Sequence, residues 1–138
     1  STIMKCIAGL YHPTSGEITI NGYDIDKDRV NALSNMGVSI EYPALYPNIT
    51  DNDHFKMVAK WKKLDKSRIK EMEDFSGLND ELKKEVRHYS MGMKQRLILS
   101  LAMMTKPKLL ILDEPTNGLD PQAIIDLRKK LLDFGKSI

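Results

Sequence analysis

Tyr89-Ser90-Met91-Gly92-Met93-Lys94-Gln95-Arg96 opens the stretch that decides how this chain folds, and Asp120 closes it. Ser90 is a small polar residue of the kind that starts a helix, and the apolar run Leu97 to Met104 is long enough to continue one. Pro107 stops that helix. Next come Leu109-Leu110-Ile111-Leu112, a buried-strand run, and then Asp113-Glu114-Pro115-Thr116-Asn117-Gly118-Leu119-Asp120. Two adjacent acids at the end of an aliphatic strand are costly at the rim of a core, so a cationic partner is expected there. The simpler alternative is a strand end followed by a polar turn. Asp120-Pro121 has the pattern of an N-cap and first helical residue, for a helix Pro121 to Leu132.

Upstream, Ser1-Thr2 precede Ile3, Ile7 and Leu10 at helical spacing, with Gly9 near the expected end. Taken alone, Ser1 and Thr2 read as helix caps. Glu17 to Ile20 and Tyr23 to Ile25 flank Asn21-Gly22, the strongest short hairpin signal. Asp26 to Leu33 reads as a short helix, and Met36 to Ile40 as a strand ending at Glu41-Tyr42-Pro43. Thr50, Asp51 or Asn52 caps a helix to about Lys62 with Phe55, Val58 and Ala59 on one face. A second helix spans Lys66 to Phe75 with Gly77 just after it, and Leu78 to Val86 is part helical.

The chain has 138 residues, which bounds it at one domain, and its 41% hydrophobic content suffices for a core. A net charge of +2 from scattered Lys and Arg leaves no nucleic-acid footprint. No apolar run approaches the ~18 residues of a membrane span. A lone Cys6 excludes an internal disulfide and fits a reducing cytoplasm. His12, His54 and His88 share no metal spacing and are expected to be plain loop or surface residues; the methionines are core filler.

Taken together, the central stretch resembles the ATPase subunit of ABC transporters. Tyr89 to Met93 resembles that family's signature loop, Leu109 to Glu114 its Walker B strand with the catalytic glutamate, and Asn117 to Asp120 its D-loop. The resemblance implies an α/β, P-loop NTPase fold of the ABC ATPase type, present in part, with a small helical subdomain. Residues 1–45 and 90–138 would form the RecA-like core, and 46–89 the helical subdomain ending at the signature loop.

It also implies a site for ATP and Mg²⁺. Glu114 would be the catalytic base; Asp113 and Ser1 would hold the metal, with Thr2 near the α-phosphate. Glu41 stands where the family has a glutamine that reaches Mg²⁺ and the attacking water. A carboxylate still accepts from metal-bound water but adds charge and lacks the amide donor; a solvated strand-end acid is the alternative. Ser90, Gly92 and Met93 would meet the γ-phosphate of ATP held by a second cassette, identical or not, with Asp120 at the dimer seam. Tyr89, Met91 and Met93 depart from the common Leu-Ser-Gly-Gly-Gln form, while Ser90 and Gly92 keep it. The variant form and the compact middle block resemble drug, bacitracin and lantibiotic export cassettes.

The implied function is ATP hydrolysis driving export, with transmembrane permease subunits as partners and a peripheral position at the inner face of the cell membrane. No nucleic acid is expected as a partner; a soluble ABC ATPase acting on DNA or ribosomes is the alternative. The surface around Glu41 to Trp61 would meet the permease, where Trp61 is an anchor or, as the expectation favoured here, a half-buried core residue. The family's P-loop glycines and lysine would precede Ser1, and its switch histidine would follow Ile138. The chain by itself is therefore expected neither to bind ATP tightly nor to hydrolyse it.

Overall fold

The computed structural model describes residues 2–41 and 45–136. At its centre Leu109–Leu112 (β4) pairs in parallel with Met36–Ser39 (β3), in the register Met36–Leu109 through Ser39–Leu112. Parallel strands need a long crossover; here it comprises helices Asp51–Lys62 (α3), Lys66–Ser76 (α4) and Met91–Met103 (α5). The consequence for function is geometric. Both strands end at the same edge, which brings Glu41 and Asp113-Glu114 together from positions far apart in the chain.

Strand alternation divides the core in two. Met36, Val38, Ile40 and Ile111 join a cluster with Met4, Ile7 and Ala8 of the first helix, Thr2–Ile7 (α1), and its following turn. Gly37 points the other way, against α5. A Cβ there would lie 2.0 Å from the Ala102 carbonyl oxygen, so the helix backbone rests directly on the strand. Leu110 packs on that side with Leu97, Met103 and Met104.

Asn21 (φ 50°) and Gly22 (φ 85°) both adopt the left-handed conformation that a tight hairpin turn requires. They join Thr19–Ile20 (β1) to Tyr23–Asp24 (β2), an antiparallel pair shorter than the sequence suggested. Arg29–Ser34 (α2) follows, starting later than the expected Asp26.

α3 begins at Thr50 with a capping box. The Thr50 hydroxyl accepts from Asp53 N–H at 3.2 Å, and the Asp53 carboxylate accepts from Thr50 N–H at 3.2 Å. Phe55 and Ala59 bury its inner face with Met72 of α4, and Gly77 (φ 65°) ends α4 in the left-handed conformation. Asn79–Lys83 is a short 3₁₀ helix within the stretch expected to be part helical, and Val86–His88 is a further 3₁₀ turn that extends past it. Arg68 of α4 is buried and closes the far end of α5: its Nε donates to Met104 O at 2.8 Å and its Nη2 to Met103 O at 2.5 Å, while Nη1 pairs with Glu71 at 2.6 Å. These carbonyls are the orphan acceptors of a helix C-terminus, and a cation there also meets the negative end of the dipole.

Two expectations fail here. Trp61 is not in the core but 65% exposed, because it lies on the side of α3 away from Phe55 and Ala59. His54 is not a surface residue: it is buried, its Nδ1 donates to Thr50 O at 2.8 Å and its Nε2 accepts from Tyr46 N–H at 3.0 Å. Between them the two hydrogen bonds occupy both ring nitrogens and assign the proton to Nδ1. Met36, Met103 and Met104 are core residues as expected.

Candidate nucleotide-binding site

The shared edge of β3 and β4 carries the acids. The ladder runs one residue past β4, with Asp113 N–H donating to Ser39 O at 2.8 Å. Asp113 is half-buried and Glu114 exposed. Successive residues of a regular strand would point to opposite faces, but Glu114 sits at φ 49° and turns the chain. Glu41, at the end of the neighbouring strand, does the same at φ 59°. A non-glycine residue in this region is strained by roughly 1–2 kcal/mol, and such strain concentrates at functional sites.

A cation does stand near this rim, Lys5 of α1, but it pairs with Glu41 rather than with Asp113 or Glu114. Its ammonium forms an ion pair with the Glu41 carboxylate and stands 5.4 Å from the centroid of the Tyr11 ring. The hydrogen bond to Glu41 holds the Lys5 pKa above its ordinary value, with weaker support from the charge of Asp113. Nothing in the sequence singled out Lys5; a lysine on a short helix looks like any surface cation, and only the fold brings it to the strand end.

A second group of residues gathers at the start of α5. Ser90 is its N-cap, the hydroxyl accepting from Met93 N–H at 3.2 Å. Ser90 and Met91 are exposed, while the Met93 side chain packs against the helical core. Asp120 caps Pro121–Lys136 (α6), accepting from Ala123 N–H at 2.8 Å. Gly92 and Gly118 bring the two turns into contact: a Cβ on Gly92 would lie 2.8 Å from Gly118 O, and one on Gly118 2.6 Å from Met91 Cγ. The expected site residues thus form two sets, Glu41 with Asp113 and Glu114, and Ser90, Gly92 and Met93 beside Gly118 to Asp120. Thr2 is exposed at the start of α1, and Ser1 lies outside the described residues.

Near Tyr89, Asp51 is wholly buried in the first turn of α3 with neither carboxylate oxygen hydrogen-bonded among the described residues. Burial pushes its pKa up to about 7, and Glu73 adds to the shift, against the pull of the neighbouring Tyr89 hydroxyl. The Tyr89 hydroxyl does not pair with Asp51, because its proton is donated to Glu81 O at 2.8 Å.

The donor set at the strand edge suits a hard divalent cation. Mg²⁺ takes oxygen ligands, keeps several waters, and is held by one or two carboxylates together with substrate phosphates. Asp113 and Glu41 supply such oxygens, and no cluster of three or more His, Cys, Asp or Glu forms a full protein cage among the described residues.

The family model for the ABC transporter matches residues 1–117 of this chain, which include the serine-capped helix and the strand ending in two acids. The chain belongs to the ABC transporter family. A solved structure described as the ATP binding subunit of an ABC transporter superposes with a TM-score of 0.87 at 30% identity, covering 99% of this chain and 58% of that one. The fold is accordingly that of a P-loop NTPase of the ABC ATPase type. The chain is similar to the lantibiotic transport ATP-binding protein SrtF of Streptococcus pyogenes, 41% identical over 97% of this chain and 57% of that protein. It is also similar to the bacitracin transport ATP-binding protein BcrA of Bacillus licheniformis, 39% identical over 99% of this chain and 45% of that protein. The chain spans about half the length of the curated relatives it matches.

Proposed function

We propose that the protein containing this chain binds and hydrolyses ATP to drive export of a drug, an antimicrobial peptide or a similar substrate. The observation that carries this reading is the parallel pairing of β3 with β4, which sets Glu41, Asp113 and Glu114 on one edge. The described relatives, transport proteins for a lantibiotic and for bacitracin, support the export role. Asp113 and Ser1 would hold Mg²⁺, with Glu41 reaching it through a metal-bound water; when bound, the ion would neutralise phosphate charge, and Thr2 would lie by the nucleotide's phosphates.

Glu114 acts as general base. It takes a proton from water as the water oxygen bonds to the γ-phosphorus; the bond to the ADP oxygen breaks, and ADP leaves with that electron pair. The protein contributes position and charge rather than covalent chemistry. Ser90, Gly92 and Met93, at the positive end of α5, meet the γ-phosphate held by a second cassette of the same or another kind. Asp120 lies at the seam between the two. Residues 1–45 and 90–138 form the RecA-like core and 46–89 the helical subdomain. Permease subunits are the membrane partners, and the protein sits peripherally on the cytoplasmic face. No helix among the described residues is long and apolar enough to cross a membrane.

The test is assembly. Full-length Glu114→Gln protein at saturating ATP and Mg²⁺ should elute as a dimer in size-exclusion chromatography, and Ser90→Arg in the same background should return it to monomer. A Glu114→Gln protein that stays monomeric with ATP bound would overturn the two-cassette site.

A further inference from the structure

The Lys5–Glu41 pair has features that an ordinary surface ion pair lacks. The Lys5 side chain is only 17% exposed, whereas Glu41 is 63% exposed. The lysine stem is therefore held by its surroundings, and the Tyr11 ring lies beside its ammonium. Little rotamer freedom remains to be lost in forming the pair, unlike the two mobile partners of a typical exposed bridge. Glu41 is held at φ 59°, two residues past the end of the strand paired with β4. An edge bearing Glu41, Asp113 and Glu114 would otherwise present three carboxylates to a polyanionic nucleotide, with no side-chain ion pair to Asp113 or Glu114 among the described residues.

We propose that Lys5 is a positioning residue of this site: it fixes Glu41 at the strand edge, cancels its charge, and supplies the N–H donor that a carboxylate lacks. The pair thereby offers one acceptor and one donor at a single point, the hydrogen-bonding complement of a side-chain amide. With Lys5 in place, Glu41 accepts from a metal-bound water without binding the ion as a full anion. This inference rests on the nucleotide-site reading given above.

The test uses the full-length protein with its permease and a four-member cycle of wild type, Lys5→Met, Glu41→Gln and the double variant, with Glu41→Ala alongside. Mn²⁺ binding with a non-hydrolysable ATP analogue, followed by electron paramagnetic resonance, supplements ATP turnover. Lys5→Met should lower turnover about tenfold and tighten Mn²⁺ binding several-fold, because Glu41 is released to ligate the ion. In the Glu41→Gln background, which carries its own donor and no charge, the effect of Lys5→Met should fall below about twofold in both measurements. Equal losses in both backgrounds with weakened Mn²⁺ binding, the mark of a structural role, would overturn the proposal, as would a Lys5→Met protein with unchanged turnover. If Glu41→Ala alters neither turnover nor Mn²⁺ binding, Glu41 is outside the nucleotide site and that reading falls first. An active role for Glu41 without coupling to Lys5 removes the present inference alone.

Discussion

Gly92 and Gly118 touch through the space their missing side chains leave. A Cβ on Gly92 would stand 2.8 Å from Gly118 O, and Gly118, at φ 77°, lies beneath the Met91 side chain. The serine-capped mouth of α5 and the turn after the two acids are thus seated on one another. Gly118→Ala should be the worse of the two substitutions, since it adds a clash to a conformation that costs an L-residue roughly 1–2 kcal/mol. Thermal unfolding should show the loss, and Met91→Gly should recover the clash component but not the φ component.

Arg68 closes α5 from another element, with its fork on the carbonyls of Met103 and Met104. Arg68→Met keeps much of the stem but strands two acceptors, while Glu71, exposed and 4.0 Å from Lys106, keeps a partner. A loss of about 2–3 kcal/mol is expected in urea denaturation, and Arg68→Lys should recover less than half of it because an ammonium cannot reproduce the fork.

Much of the fold was legible in residue order. Asn21-Gly22 named its hairpin, the polar run Thr50 to Asn52 and Gly77 marked helix ends without singling out Thr50 as the cap, and Tyr89 to Asp120 carried both the α5–β4 succession and the family. These are local signals, set by backbone preference and short-range spacing. What stayed hidden was set by contacts distant in sequence. Gly37 looks like a weak point in a strand until Ala102 is found against it. Arg68 looks like a surface residue on a charged helix until its partners 35 and 36 residues away are known. Trp61, expected to be half-buried, is exposed because the helix phase set by Phe55 and Ala59 turns it outward. The adjacent acids Asp113 and Glu114 predicted a cation, but the one that stands near them, Lys5, pairs with Glu41 of the neighbouring strand instead.

Gly37→Ala follows from the same kind of contact. A methyl 2.0 Å from Ala102 O cannot be accommodated without moving α5 off β3. Overpacking of this kind costs typically 1–3 kcal/mol and occasionally more. Because α5 carries Ser90, ATP turnover should fall with stability, measured by activity and circular dichroism on the same preparation.

Asp51 predicts a pH dependence of stability with a definite sign. Its folded pKa, about 7, lies above its ordinary value of 3.8, so the folded state holds the proton more tightly. The carboxyl is neutral and harmless below its unfolded pKa. As pH rises from about 4 to 7 the unfolded state increasingly gains by ionising, and stability falls until the folded group also titrates. Asp51→Asn should therefore raise the unfolding temperature at pH 8 relative to wild type, by an amount worth about 2 kcal/mol, and the gain should shrink at pH 5. A gain independent of pH would show that Asp51 is not the titrating group.

The central claim is that the edge shared by β3 and β4 is where ATP is hydrolysed, with Glu114 accepting the proton of the attacking water. Steady-state phosphate release by the full-length protein with its permease, compared between wild type and Glu114→Gln, tests it most directly. Removal of a general base should lower turnover by about 10²-fold or more, while fluorescent-nucleotide titration should find ATP binding unchanged within about twofold. Turnover retained within a few-fold of wild type, with nucleotide still bound, would contradict the assignment.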